Sequence, residues 1–247
     1  LVTAQTLTKS YTTHHRTLNI NEFKDNWMVQ VQHLELTKPG GNGYHDFLQQ
    51  QKDINQTRFN KNKVSHINTQ NKSLNVGLNV DYGLEGNYYN NKVPNDNTLA
   101  ISNDGLMIAG INSSYIIYDQ NNDSILKRAT LNSLTFSFNQ LLFVKKYDPK
   151  FIYDPNEDRF IMVFLVGNNP INNHICVAFS SSNNPLDDWN VYMFTGDALG
   201  TDHWTDYPAI SLTDDELFIT GNLLQHNVSW QEGFYQSLIW QIDKTQG

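Results

Sequence analysis

Two stretches of the chain bring together side chains able to hold a cation: His14-His15, and Asp202-His203 with Asp206. Adjacent histidines on an extended chain point to opposite faces, so the first pair does not form a chelate by spacing alone. The second set lacks the alternating oxygen ligands of a calcium loop and reads as a surface loop. No metal and no cofactor is expected. Cys176 is the single cysteine and lies in Ile175-Cys-Val-Ala-Phe179. His174 shares its strand face, yet an apolar strand is a poor place for a reactive thiolate, so Cys176 reads as core filler. The acids Glu157, Asp158, Asp187, Asp188, Asp214, Asp215 and Glu216 fall in hairpin turns, where Asx-type capping accounts for them. Paired carboxylates for glycoside hydrolysis should instead face each other across a cleft, one with a raised pKa. No catalytic residue is therefore expected. The aromatic pair Trp204 and Tyr207, beside Asp206, reads either as turn packing or as the rim of a sugar- or peptide-binding surface.

These residues sit in a chain of 247 residues, long enough for one large β domain or two ordinary ones. Hydrophobic residues make up 39%, aromatics 12% and charged residues only 17%. That balance favours strands over a helical bundle. The net charge is -8 with a pI near 5.4, and no Lys/Arg run exists, so nucleic acid is excluded as a partner class. No apolar run approaches the ~20 residues of a spanning helix. Leu1-Val-Thr-Ala4, followed by Gln5, resembles the end of a secretory signal, which predicts export.

The elements that must position the side chains recur. Ile101-Ser-Asn-Asp-Gly-Leu-Met-Ile108, Ile152-Tyr-Asp-Pro-Asn-Glu-Asp-Arg-Phe-Ile-Met162 and Ile210-Ser-Leu-Thr-Asp-Asp-Glu-Leu-Phe-Ile-Thr220 share one plan: an apolar residue, a turn, then an apolar strand. Their leading isoleucines are 51 and 58 residues apart. An apolar period of two and a unit of that length predict an all-β fold, a β-propeller whose blades fill residues 61–247. A β-sandwich also has short strands at such intervals. Three or four blades fall at or below the number that closes a ring, which predicts further blades past Gly247. Residues 1–60 read as an irregular extension, with a strand at Trp27–Leu36 and one short helix at Tyr44–Asp53. Ser73–Val80 alternates as a further strand.

From Pro94 onward the chain resembles a group of secreted β-propeller proteins common in Bacteroidota. The resemblance rests on Pro94-Asn-Asp-Asn-Thr-Leu-Ala100, Gly110-Ile-Asn-Ser-Ser114, Asp148-Pro149 with Tyr153-Asp-Pro155, Ala178-Phe-Ser-Ser181 with Asn184-Pro185, and Asp206-Tyr-Pro208. It implies export to the cell surface or medium, often through the type IX secretion system, and a protein or glycan partner there. Asp123-Ser-Ile125 is similar to the O-glycosylation acceptor of that phylum, with Ser124 as acceptor. The rival is a carbohydrate-active hydrolase of sialidase type, with catalytic groups partly outside the chain. Against it, Ser182–Trp189 does not keep the spacing of the Asp-box turn, and only Arg16, Arg58, Arg128 and Arg159 are present to clamp a substrate carboxylate.

Overall fold

The computed structural model describes residues 13–23, 46, 49, 50, 52–54, 83–88, 90, 92, 94–141, 143–228 and 232–247. Two compact units divide the chain, one of residues 1–30 with 85–247 and one of residues 31–84. In the second, Asp46, Gln49, Gln50, Lys52, Asp53 and Ile54 are helical, and the Gln49 amide donates to Asp53 one turn on, at 3.0 Å. The strands expected at 27–36 and 73–80 lie outside the described residues.

The first unit is built from antiparallel sheets, so the all-β expectation holds. A four-stranded meander comprises β2 (Thr98–Ile101), β3 (Leu106–Ile111), β4 (Ser114–Asp119) and β5 (Ser124–Thr130). A short helix α1 (Leu131–Thr135) leads to a second meander, β6 (Lys146–Asp154), β7 (Arg159–Val166), β8 (His174–Ser180) and β9 (Asp188–Thr195). The third holds β10 (His203–Leu212), β11 (Glu216–Gln225) and β12 (Phe234–Asp243). One strand comes from far away in sequence: β1 (His14–Asn19) pairs antiparallel with β9, from His14 opposite Met193 to Asn19 opposite Asp188. Part of the stretch expected as an extension is thus an integral fifth strand.

The hairpin turns form where their side chains can cap them. Asp154 accepts from the Asn156 amide at 3.2 Å, and the Ser102 and Thr213 hydroxyls accept from Leu106 and Glu216 at 3.2 and 3.1 Å. Gly105, at φ +81°, supplies the left-handed residue of the first turn. Every residue of β7 is buried, which explains its near-continuous apolar run. Its Phe160, Met162, Phe164 and Val166 join a core with Ile108, Tyr115 and Ile117 of the first meander. Its Ile161, Val163 and Leu165 join a second core with Leu217, Ile219 and Trp240 of the third. Each such fully buried side chain contributes about 1.5–3 kcal/mol relative to exposure. The middle sheet is therefore covered on both faces. The first strands of the meanders also adjoin, β2 against β6 and β6 against β10.

Candidate functional site

The opening strands β6 and β10 are each broken at a proline. Between Tyr147 and Lys150 the register of β6 against β7 shifts, at Asp148-Pro149; between Asp206 and Ala209 that of β10 shifts, at Tyr207-Pro208. A proline has no N–H for the ladder, so the chain bulges there, and bulges re-aim side chains. Asp148 and Tyr207 both take left-handed backbone at φ +51°, and Asp96, just ahead of β2, lies at +46°. Trp204 and Tyr207, read from sequence as loop residues, stand instead in strand β10.

The result is a cluster drawn from three sheets. Asn112, buried at the β3–β4 turn, donates through Nδ2 to Asp96 Oδ2 at 2.8 Å, to Asp148 Oδ1 at 3.2 Å and to the Pro94 carbonyl at 3.2 Å. Its Oδ1 accepts from the Asp148 amide at 2.5 Å. Asp148 is only 8% exposed. Burial, then the nearby Asp206 charge, pushes its carboxyl up to about 6, against the pull of the Asn112 bond. Burial also raises Asp206, opposed by the Tyr207 amide and by Lys145. Tyr147 donates to the Gly167 carbonyl at 2.8 Å, and Asn173 Nδ2 to the same oxygen at 2.7 Å. Asn173 Oδ1 accepts from the Thr205 amide at 2.7 Å, and Thr205 Oγ1 donates to Gly196 at 2.6 Å. This network ties the β7–β8 loop, the β9–β10 loop and β10 together and so fixes Asp206. Tyr207 remains 61% exposed, with the Lys150 ammonium 5.3 Å from its ring centre.

Of the rim candidates, Asp206 and Tyr207 therefore share one place, while Trp204 packs against the core under the third meander. Asp148, Asp96 and Asn112 escaped the sequence reading. A signal existed: Asp96, Asp148 and Asp206 are 52 and 58 residues apart, nearly the interval of the isoleucines. Comparison with family models, curated proteins and solved structures finds no match to this chain.

The remaining candidates are dispersed. His15 stacks on Tyr192 with ring centres 4.6 Å apart, and His203 meets Tyr235 in a tilted arrangement at 4.5 Å. Among the described residues no group of three or more His, Cys, Asp or Glu is arranged to hold a metal ion. Cys176 is fully buried, which pushes its thiol up. Ser124 opens β5 at intermediate exposure, opposite Asp119. Of the acids expected in hairpin turns, Asp188 and Glu216 instead open strands β9 and β11. Asp158 accepts from Tyr153 and Asn183, Asp214 from Asn156, Asp187 from Ser182 and Asn184, and Asp188 from Asn19, all through side chains. Arg159 is buried and donates to the Lys244 and Gly247 carbonyls at 2.6 and 2.7 Å. Arg16 donates to the His15 carbonyl and lies over Phe138, and Arg128 lies over Tyr88. Arg58 lies outside the described residues. No described helix is long and apolar enough to cross a membrane.

Proposed function

We propose that this chain is part of an exported β-propeller that works as a non-catalytic binding module at a bacterial cell surface, as cargo or accessory of a type IX secretion or surface assembly. Three successive antiparallel meanders whose opening strands adjoin are the arrangement in which blades surround an axis, and this supports the propeller over a two-sheet sandwich. The observation that carries the binding reading is the state of one end of these sheets. Tyr207, 61% exposed, stands there on the strand that carries Asp206, with the Lys150 ammonium 5.3 Å from its ring centre. An exposed aromatic ring beside a cation, held on a bulged strand, suits contact with a protein or glycan.

A second reading has its own observation. Asp148, raised to about 6 beside Asp206, is the kind of carboxyl that a glycoside hydrolase uses as general acid. Burial of Asp148 and its engagement by Asn112 favour a structural part instead.

The test immobilises the purified chain and measures binding to outer-membrane vesicles of a Bacteroidota host, beside a screen for hydrolysis of fluorogenic glycosides. Saturable binding that Tyr207→Ala and Lys150→Ala weaken, with no turnover, supports the module. Turnover abolished by Asp148→Asn would establish the hydrolase and end the binding-only reading.

A further inference from the structure

A concavity lies apart from the carboxylate cluster, between β1 with the 3-10 turn after it (Ile20–Glu22) and the segment 132–137. Its volume is about 690 Å3, within the roughly 300–1,000 Å3 usual for small-ligand sites. Phe136 stands 73% exposed at its wall, and Phe23 and Leu18 line it as well. A phenyl ring left this far in water beside a cavity is an apolar face in want of a ligand face.

The polar groups around the rings are almost all uncharged. Asn132, Ser133 and Ser137 line one side and Glu22 the other. Ser137 Oγ is buried with no hydrogen-bond partner, a state that costs free energy unless something else satisfies it. Asp188 also lines the cavity, but its Oδ1 already accepts from Asn19 Nδ2 at 2.7 Å. Glu22 is thus the free carboxylate of the wall, and among the described residues neither Lys nor Arg lines the groove. Two acids line the groove, and the ammonium of Lys127, which donates to the Phe23 carbonyl at its wall, does not itself line it, so an anion is disfavoured there. An amide, hydroxyls and one carboxylate are, by contrast, suited to giving and taking hydrogen bonds from vicinal hydroxyls, and the C–H face of a pyranose can lie on Phe136.

We propose that this groove is a subsite for an uncharged oligosaccharide, with Phe136 as stacking platform, Asn132 and Ser137 bonding hydroxyls, and Glu22 accepting from them. It does not share residues with the Tyr207 surface, so the vesicle experiment above can fail without affecting it.

The probes are maltotriose, cellotriose, xylotriose and tri-N-acetylchitotriose, titrated by calorimetry and by saturation-transfer NMR. At least one should bind saturably, and Phe136→Ala should raise its Kd about three- to tenfold, the range of one aromatic contact. Asn132→Ala should also weaken it. Because the Phe136 side chain is mostly in water, Tm should stay unchanged and certify the fold of the variant. Absence of saturable binding of all four sugars up to about 10 mM would overturn the proposal. So would sugar binding indifferent to Phe136→Ala. A basic aromatic peptide, Lys-Trp-Lys, serves as the contrasting probe: binding of the peptide but of no sugar, lost in Glu22→Gln, would assign the groove to protein recognition and overturn the sugar assignment.

Discussion

Replacing Asp148 by Asn should stabilise this protein at neutral pH, by an amount that fades as the medium becomes acid. The carboxyl is held up at about 6 rather than the ordinary 3.8, because burial and the Asp206 charge disfavour its ionised form. A group whose folded pKa is raised binds more protons folded than unfolded between those two values, so it costs stability above about 6 and stops costing it below about 4. Roughly two units at about 1.4 kcal/mol each give a ceiling of ~3 kcal/mol at pH 7.5. Burial is the larger cause and the Asp206 charge the next, while the bond from Asn112 works against both. The amide replacement keeps an oxygen to accept from Asn112 Nδ2, and Asn tolerates the left-handed backbone at φ +51°. Urea unfolding of both proteins between about pH 4 and 8 measures the difference, in which titration of other groups, such as the burial-lowered His174, cancels. The expected gain is about 2–3 kcal/mol at pH 7.5, falling towards zero near pH 4. A gain that does not change with pH, or a loss of stability at pH 7.5, would refute the electrostatic account.

The Lys244 Nζ to Asp154 Oδ2 pair, at 2.7 Å with both side chains about 1% exposed, joins the third sheet to the middle one. Lys244→Met alone should cost about 3–5 kcal/mol in urea unfolding by stranding a buried carboxylate, whereas Lys244→Met with Asp154→Leu should recover most of it. Gly110→Ala should lower Tm, because its Cβ would come 2.5 Å from Phe151 Cε2, and overpacking of this kind costs about 1–3 kcal/mol. Asn173→Ala should destabilise by about 1–3 kcal/mol, since the Thr205 amide it serves at 2.7 Å is buried, and Asp206 beside it should gain faster amide exchange. Cys176 should resist iodoacetamide at pH 8 in the folded protein and react once urea unfolds it.

The repeating hairpins were legible in the sequence because they are local. Asp154-Pro155-Asn156 and Asn103-Asp104-Gly105 carry their turn chemistry within four residues, and alternation in Phe151, Tyr153 and the run after Phe160 needs only the period of a strand. Burial of Cys176 followed from the same reasoning, whereas Asp158, Asp187 and Asp214 accept from side chains rather than capping backbone amides. The carboxylate cluster was not legible in that way. Asp96, Asp148 and Asp206 are far apart in the chain and meet only because three opening strands adjoin and proline forces a bulge in two of them. Nor does any local pattern in His14–Asn19 say that it closes the edge of β9, some 170 residues on, or that it forms one wall of a groove with Phe136. Periodicity and turn residues act over a few bonds, so the sequence by itself determined the hairpins led by Ile101, Ile152 and Ile210 and where they reverse, but neither strand β1 nor the strand that carries Trp204 and Tyr207. Which strands become neighbours, and hence which carboxylates feel one another, depends on burying two apolar faces of one sheet at once, and only the folded chain decides that.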